Sequence, residues 1–351
     1  MSANQNLQKA KVAKNDEFYT QLSEIEKELK FYSDKFKDKI VFCNCDDPFE
    51  SNFVKFFLMH FNSFGLKALY ATGYKISPII NTEVKVKKIP YFLHVTDTSK
   101  YLKDDQIDLD IKRAELFIKE EENNVCTELL GDANYIAGDF RSEECIDILK
   151  KSDIVVTNPP FSLFREYIAL LLKYNKSFLV IGNMNSITNR EIFSLLKSND
   201  LWLGYNNGSK EYVTSAKYAM ENPKRVYKKG DIYYTKMGNT CWYTNVDHLK
   251  RHNTIKLNMG FTYYNHETQY AKYDNYDAIN VDKLNEIPCD YRGLIGVPIS
   301  FIDKYCPEQF EIIGSSGELA QPVIIDGKKG SGRFYINNKR LYDRIVIKRK
   351  D

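Results

Sequence analysis

Residues 153–161 read DIVVTNPPF, and this stretch decides the fold of the chain. The apolar run Ile154, Val155 and Val156 has the composition of a short buried strand. The two prolines after Asn158 cannot continue that strand, because proline lacks a backbone N–H and has a fixed φ. The stretch therefore predicts a strand that ends in a stiff turn.

Outside this stretch, the first 200 residues alternate between short apolar runs and amphipathic segments. The predicted strands are 40–45, 66–71, 154–157 and 178–181, and the predicted helices are 16–36, 51–61, 163–172 and 191–197. Continuously apolar strands separated by helices are typical of a parallel sheet covered on both faces. We therefore predict an α/β, Rossmann-like fold with a mostly parallel sheet, in which ligands bind at the carboxyl ends of the strands.

The turn formed by Asn158, Pro159, Pro160 and Phe161 has the groups needed to hold an exocyclic amino group. Such an amine on a purine is a poor nucleophile, because its lone pair is delocalised into the ring. The Asn158 side-chain oxygen and the Pro159 carbonyl can each accept one of its N–H groups, and Phe161 can stack on the base. The tetrad predicts an aminomethylation site, and the alternative is that it is only a tight loop.

An acidic turn follows the predicted strand 40–45. It contains Asp46, Asp47 and Pro48, and a carboxylate at this strand end can bind an amino or hydroxyl group of a ligand. The alternative is that the two acids only cap the next helix, for which Ser51 is also suited.

A second acidic turn contains Gly138, Asp139 and Phe140. The Asp139 carboxylate can accept a hydrogen bond from an amine, and the Phe140 ring can stack on a flat group. This pair is suited to an adenine.

The composition is that of a globular protein, with 351 residues and 43% apolar content. No apolar stretch approaches the roughly 20 residues of a membrane helix, and the polar amino terminus lacks the apolar core of a secretory signal. We therefore expect a cytoplasmic protein without a membrane partner. The seven cysteines lack CxxC spacing and only five histidines occur, so we expect neither a disulfide framework nor a bound metal.

Positive charge is concentrated in the second part of the chain. Residues 201–351 hold 23 Lys and Arg against 17 Asp and Glu, and also 16 of the 25 Tyr. Basic and aromatic residues alternate between 217 and 243, which suits phosphates and stacked bases, although a solvated loop has the same composition. The candidates for base or phosphate contacts are Asn206, Asn207, Lys210, Lys224, Arg225, Asn239 and Arg251.

The closing segment 340–350 alternates apolar and basic residues. It fits either a DNA-facing strand or a charged edge strand that avoids pairing with other chains. We expect Trp202 and Trp242 to be core residues rather than wedges between bases.

The motif order resembles that of S-adenosylmethionine-dependent adenine-N6 DNA methyltransferases. Their motifs X, I, III and IV are matched by Phe18-Tyr19-Thr20, Asp46-Asp47-Pro48, Gly138-Asp139-Phe140 and Asn158–Phe161. The stretches DEFYTQ, VFCNCDDP, GDFRSEECIDILKKSDIVVTNPPFSLFREY, KYDNYDAINV, GVPISF and PEQFEI resemble the EcoRI-type enzymes, which are the modification partners of type II restriction systems. This resemblance covers nearly the whole chain.

The resemblance implies a class I methyltransferase domain in residues 1–200 and a target-recognition, DNA-binding region in residues 201–351. It also implies that S-adenosylmethionine is the cofactor. Phe18, Tyr19 and Thr20 would line the methionine end of the cofactor, and Asp47 or Asp46, in the turn before Pro48, would hold its amino group. Asp139 would accept a hydrogen bond from the adenine amine of the cofactor, and Phe140 would contact the adenine ring. The usual glycine-rich first motif is replaced by Glu50, Ser51 and Asn52, and no acid at 71–74 is available for the ribose.

The implied reaction is methyl transfer to N6 of an adenine flipped out of duplex DNA. GAATTC would be the target, protected against a cognate restriction endonuclease, and the enzyme would act as a monomer. Two other classes remain open: an RNA or protein-glutamine methyltransferase with the same tetrad, and a non-catalytic DNA-binding module with a degenerate first motif.

Overall fold

The computed structural model describes residues 19–73, 90–103, 106–208, 210–214, 216–257, 262–325, 328–330 and 332–350. The chain forms two compact units. One comprises Met1–Met184 and Asn206–Val246, and the other comprises Asn185–Tyr205 and Asp247–Asp351. The functional boundary at residue 200 stays a prediction.

The elements are numbered in chain order. The strands are β1 (Tyr19–Thr20), β2 (Ile40–Asn44), β3 (Ala68–Thr72), β4 (Tyr91–Val95), β5 (Cys126–Glu128), β6 (Ile154–Thr157), β7 (Ser177–Asn183), β8 (Trp202–Leu203), β9 (Lys210–Thr214), β10 (Val226–Lys229), β11 (Ile232–Met237), β12 (Thr240–Thr244), β13 (Lys272–Tyr273), β14 (Tyr276–Asn280), β15 (Ile295–Pro298), β16 (Phe310–Ser315), β17 (Ile324–Ile325), β18 (Lys328–Lys329), β19 (Tyr335–Ile336), β20 (Lys339–Arg340) and β21 (Arg344–Arg349). The α-helices are α1 (Leu22–Leu29), α2 (Asn52–Met59), α3 (Ile111–Glu120), α4 (Glu122–Val125), α5 (Glu143–Lys151), α6 (Phe164–Lys173), α7 (Arg190–Lys197), α8 (Ala216–Glu221), α9 (Tyr263–His266) and α10 (Ser316–Leu319).

The main sheet of the first unit contains, in spatial order, β5, β4, β3, β2, β6, β7 and β12. Its four central strands β3, β2, β6 and β7 are parallel, whereas β4, β5 and β12 pair in the antiparallel direction at the flanks. This confirms the predicted α/β fold with a sheet that is mostly parallel in its core.

The central strands form where the sequence has continuous apolar runs, because both faces of the sheet are covered. All four residues of β6 are buried, as are four of the five in β2. Helix α2 begins after Ser51, whose side chain accepts a hydrogen bond from the Phe53 N–H, which confirms the expected cap. The predicted helix 16–36 is shorter in the structure, where α1 covers only Leu22–Leu29.

A small second sheet in the first unit has the order β1, β9, β11, β10. All its pairings are antiparallel, and Tyr19 pairs with Val213. This sheet joins the amino-terminal strand to a segment about 190 residues further along the chain.

The second unit contains a five-stranded sheet with the order β13, β14, β15, β21, β16. The closing segment forms β21, which pairs with both β15 and β16, so the edge-strand alternative of the two that the sequence left open is wrong. Ile345, Val346 and Ile347 are all buried, because a strand with neighbours on both sides needs a continuous apolar run. Trp242, in the first unit, is fully buried as expected, and Trp202 is half-buried.

Among the described residues, none of the helices combines the length and apolar character that crossing a bilayer requires.

Candidate active site

The turns singled out in the sequence follow neighbouring parallel strands. The first acidic turn follows β2, Gly73 follows β3, and the Asn-Pro-Pro-Phe tetrad follows β6. Because β3, β2 and β6 are parallel neighbours, their carboxyl ends lie at one edge of the sheet. In open α/β sheets, ligands bind at this edge.

The tetrad forms a compact turn between β6 and α6. Pro159 is buried, whereas Asn158, Pro160 and Phe161 are half-buried. The Pro160 carbonyl accepts a hydrogen bond from the Leu163 N–H at 3.0 Å, which closes a short 3₁₀ turn before α6. The Phe161 ring packs partly against the apolar core of the unit. The turn therefore presents its amide and ring from a fixed position at the strand end.

Asp46 connects the first acidic turn to the strand that carries the tetrad. Its Oδ1 accepts a hydrogen bond from the Ser51 hydroxyl at 2.8 Å, and its Oδ2 contacts the Thr157 hydroxyl, whose single proton it shares with the Asn44 carbonyl of β2. Ser51 and Thr157 are almost completely buried, and Asp46 is 8% exposed. Asp46 thus stabilises the relative position of β2 and β6, and both of its oxygens are used within the protein.

Asp47 is equally buried but has different contacts. Its Oδ1 accepts hydrogen bonds from the backbone N–H groups of Phe49 at 2.9 Å and Glu50 at 3.2 Å. Within the part of the chain that the structure describes, no donor is bonded to the other oxygen, Oδ2. Burial is the main cause that raises the pKa of Asp47 to about 6, although the two backbone hydrogen bonds oppose it. A buried carboxylate with an available oxygen is complementary to an ammonium group.

Gly73 leaves the room that Asp47 needs. A Cβ at Gly73 would lie 3.2 Å from Asp47 Oδ2 and 3.3 Å from its Cα, which is tighter than ordinary packing. A residue with a side chain here would therefore displace the carboxylate.

Asp139, in the second acidic turn, is paired with Arg141. The guanidinium donates through Nε to Oδ1 at 2.9 Å and through Nη2 to Oδ2 at 2.8 Å, and the Arg141 backbone N–H also donates to Oδ1 at 3.0 Å. The same guanidinium reaches Glu166, at 3.3 Å. The hydrogen bonds that Arg141 donates to Asp139 raise the pKa of the guanidinium, which is charged in any case. This carboxylate already has a cation of the protein beside it.

Phe140 is only 3% exposed, so the structure places its ring in the interior. The ring contacts Tyr167 edge to face, with a centroid distance of 4.9 Å. Tyr167 is fully buried on α6, and burial raises the pKa of its hydroxyl well above the usual value. The second acidic turn is thereby packed on the helix that follows the tetrad.

Of the amino-terminal motif, Phe18 and the Tyr19 side chain lie outside the described residues. Thr20 is buried, and its carbonyl accepts a hydrogen bond from the Asn52 side chain at 2.8 Å. Pro48 is buried in the first acidic turn. The structure therefore brings Thr20 beside the start of α2, directly after that turn.

Sequence reasoning missed the contacts of Thr157 and Arg141. Thr157 reads as the last residue of a strand, and only the proximity of β2 gives its hydroxyl a partner. Arg141 follows Asp139 by two residues, and an Asp-x-Arg spacing in a turn is a weak signal for such a pair. Within the described residues, no group of three or more His, Cys, Asp or Glu is arranged to hold a metal ion.

Two of the residues proposed to contact DNA have internal partners. The Asn206 side chain donates a hydrogen bond to the Lys27 carbonyl at 2.6 Å, and the Asn207 side-chain oxygen accepts one from the backbone N–H of Trp242 at 3.1 Å. In the second unit, the Arg251 guanidinium lies 3.8 Å from the centroid of the Trp202 ring. Lys224 and Arg225 are exposed.

A parallel-core sheet with an acidic turn and an Asn-Pro-Pro-Phe turn at the same edge is the arrangement of a methyltransferase fold. The family model described as "Adenine-specific methyltransferase EcoRI" matches residues 6–350. The chain belongs to this family and is an adenine-specific methyltransferase, which confirms the resemblance seen in the sequence.

Curated relatives match over almost their whole length. The type II methyltransferase M.EcoRI of Escherichia coli is 42% identical over 344 residues, which cover 97% of this chain and 98% of the relative. The type II methyltransferase M.MgeORF184P of Mycoplasma genitalium is 34% identical over 352 residues, which cover 97% of this chain and 98% of the relative. The type II methyltransferase M.MpnI of Mycoplasma pneumoniae is 35% identical over 352 residues, which cover 97% of this chain and 97% of the relative. No solved structure matches the chain.

Proposed function

We propose that the chain transfers a methyl group from S-adenosylmethionine to the N6 amine of an adenine in duplex DNA. GAATTC is the proposed target, which the modification protects against a cognate restriction endonuclease. The single observation that carries the proposal is the tetrad at the end of β6, beside the acidic turn at the end of β2. Family membership and the names of the relatives support the choice of adenine and of DNA.

The residues of the first acidic turn fit the amino-acid end of S-adenosylmethionine. When bound, this cofactor supplies an electrophilic methyl group on a sulfonium. Asp47 would hold its ammonium group, because the available oxygen of Asp47 is buried beside Gly73 and gains most from a cation. Asp46 would act indirectly, since its oxygens already accept from Ser51 and Thr157.

Asp139 and Phe140 would lie at the adenine end of the cofactor. A carboxylate has about four lone-pair sites, and Arg141 takes three of those on Asp139. One lone-pair site on Oδ2 remains for an adenine amine, and the two hydrogen bonds from the Arg141 guanidinium fix the orientation of the carboxylate. Thr20, in β1 beside the start of α2, would line the methionine end together with Phe18 and Tyr19.

The tetrad would hold the target adenine after it leaves the duplex, at a cost of a few kcal/mol of lost stacking. Because the Pro160 carbonyl is bonded to Leu163, the acceptors for the two amine hydrogens would be the Asn158 oxygen and the Pro159 carbonyl. These dipoles stabilise the positive charge that develops on nitrogen as it attacks the methyl group, and the half-buried Phe161 would stack on the base. Residues 201–351 would supply target recognition, and the enzyme would act as a monomer.

The test is transfer of labelled methyl from S-adenosylmethionine to a duplex containing GAATTC, to the same duplex with the site scrambled, and to RNA. We expect N6-methyladenine only in the first substrate. The Asn158→Ala variant should lose at least about a hundredfold in rate, the scale of removing one donor or acceptor aimed at developing charge. Calorimetry should show that this variant still binds the cofactor.

Three outcomes would contradict parts of the proposal. Transfer to the scrambled duplex would reject GAATTC as the target sequence and would leave the rest of the proposal standing. Transfer to RNA or to protein glutamine, but not to DNA, would reject the substrate class. An Asn158→Ala enzyme with the wild-type rate would reject the tetrad as the site of amine activation.

A further inference from the structure

We propose that the outward face of the small sheet β1, β9, β11 and β10 binds the phosphate backbone of the DNA substrate. This inference rests on the proposed function and deepens it, because it assigns a surface to the duplex. We call this surface the hairpin face and define it by Tyr227, Lys229, Ile232, Tyr234 and Lys236.

The strand register places these five side chains on one side of the sheet. Tyr227 is paired with Tyr234, and Lys229 is paired with Ile232 across the β10–β11 hairpin. Directly paired residues share a face, and so do residues two apart along a strand, which adds Lys236 to the set. The opposite face is the inner one, because Thr20, Tyr212 and Thr235 are all 3% exposed or less.

The hairpin face combines exposed lysines and an exposed isoleucine with two half-buried tyrosines. The Tyr227 and Tyr234 rings stack with centroids 6.0 Å apart, and Lys229 Nζ lies 4.9 Å from the Tyr234 centroid. Ile232 is 48% exposed, and the Lys229 side chain is 59% exposed. Four exposed cations lie on the hairpin face or border the hairpin: Lys224, Arg225, Lys229 and Lys236. A fifth exposed cation of the hairpin, Lys228, lies on the opposite side of the sheet by the same register.

Few acids oppose these cations. Glu211 on β9 pairs with Lys229 at 3.1 Å, and Asp231 at the hairpin turn pairs with Lys228 at 3.2 Å. The hairpin and its border therefore keep an excess of positive charge. The register also places Glu211 on the hairpin face, opposite Lys236, and Glu211 accepts a hydrogen bond from the Tyr227 hydroxyl. Lysines beside tyrosine rings suit a polyanion, because the ammonium groups meet phosphates while the rings contact the sugar-phosphate backbone.

The small sheet is attached on both sides of the strand that carries the tetrad. On the β2 side, Asn52 donates to the Thr20 carbonyl of β1. On the β7 side, β11 continues into β12, whose first residue Thr240 is paired with Asn183 at the carboxyl end of β7. Since β6 lies between β2 and β7, the hairpin face belongs to the edge of the sheet where the target base must enter.

The experiment measures the affinity of labelled GAATTC duplex by fluorescence anisotropy from about 50 to 200 mM salt. The Lys229→Gln/Lys236→Gln double variant is compared with wild type and with Lys150→Gln. Lys150 is a matched control: its side chain is 54% exposed, and it is paired with Asp147 at 2.9 Å. It lies at the end of α5, before β6 begins, and so at the opposite edge of the sheet.

Each lost phosphate contact should reduce the magnitude of the slope of log affinity against log salt concentration by about 0.9. The double variant should therefore have a slope that is smaller in magnitude than that of wild type by about 1.8. Its KM for DNA should rise, whereas its rate at saturating DNA and its preference for GAATTC over the scrambled duplex should match wild type. Lys150→Gln should keep the wild-type slope.

A wild-type slope in the double variant would overturn the proposal, even if the wild-type enzyme methylates DNA. A concentration-dependent dimer that the double variant loses would also overturn it, because the face would then bind a second copy of the chain. Failure of the proposed function is distinct, since wild-type enzyme would then transfer no methyl group to DNA.

Discussion

The two acidic turns of the first unit each contain a buried aspartate, yet the two carboxylates are in different electrostatic situations. Asp139 is neutralised by the Arg141 guanidinium, which donates to both of its oxygens. Asp47 has only backbone donors, and burial raises its pKa to about 6. The difference agrees with the ligands proposed above: a neutral adenine amine for Asp139, which the protein already pairs with a cation, and an ammonium group for Asp47, which it does not.

The largest expected effect is on cofactor binding by Asp47→Asn. This substitution keeps an acceptor for the Phe49 and Glu50 N–H groups but removes the charge that would face the ammonium. A charged hydrogen bond is worth about 1.5–3 kcal/mol, so affinity for S-adenosylmethionine should fall by about 10- to 150-fold in calorimetry. Arg141→Ala, which would act on the cofactor indirectly by removing the partner of Asp139, should cost less. Equal losses in the two variants would remove the distinction between the turns.

The same pair of turns should differ in the sign of their effect on stability. A carboxyl whose folded-state pKa is raised to about 6 from 3.8 makes the fold less stable as pH rises from about 4 to 6, and the loss persists above that range. Asp47→Asn should therefore increase the free energy of unfolding at pH 8 by about 1–3 kcal/mol, and by much less at pH 4.

Asp139→Asn should instead reduce the free energy of unfolding by about 1–3 kcal/mol, because it leaves the Arg141 guanidinium without its main partner. Urea titrations of the two variants at pH 8 measure both effects. Destabilisation by both substitutions would mean that Asp47 is an ordinary structural acid.

Thr157→Val tests the link between the first acidic turn and the tetrad. It removes the hydroxyl that donates to Asp46 but keeps the β-branched shape of a buried strand residue. We expect the transfer rate to fall about tenfold, because a misplacement at the strand end affects the tetrad and costs about 1–2 kcal/mol. Thr157→Ser, which keeps the hydroxyl, should restore the rate. If Ser and Val behave alike, the hydrogen bond has no positioning role.

Gly73→Ala should have the smallest effect. The added Cβ would crowd Asp47 by a few tenths of an ångström, so cofactor affinity should fall several-fold, or about 1 kcal/mol. Gly238→Ala is the control, because a Cβ there meets no atom within 4 Å. Calorimetry that shows no difference between the two variants would contradict the close approach of Gly73 to Asp47.

The sequence predicted the parts of this fold that depend on local pattern. The apolar runs placed β2 and β6 correctly, and Ser51 was recognisable as a cap. The pairing of β1 with β9 was not predictable, since it joins residues nearly 200 positions apart. The central place of β21 was missed for a similar reason: the basic residues around Ile345 and Ile347 suggested an edge, and only the partner strands reveal the burial.

The candidate site also has a part that the sequence predicted and a part that it did not. The motifs predicted which turns carry the chemistry, and the parallel strand order explains why two of these turns meet at one edge. The partners of the carboxylates could not be predicted, because Arg141 and Thr157 reach them through turn geometry and strand neighbours rather than through sequence spacing. Those partners decide which of the three acids is available to a ligand.

The most direct test of Asp47 as the residue that binds the cofactor's ammonium group is proton release on binding S-adenosylmethionine at pH 6. Calorimetry in two buffers with different ionisation enthalpies measures it. With a pKa of about 6, Asp47 is about half protonated at that pH, and the ammonium drives its ionisation. We predict release of about half a proton by wild type and none by Asp47→Asn. Equal proton release by both proteins would contradict the assignment.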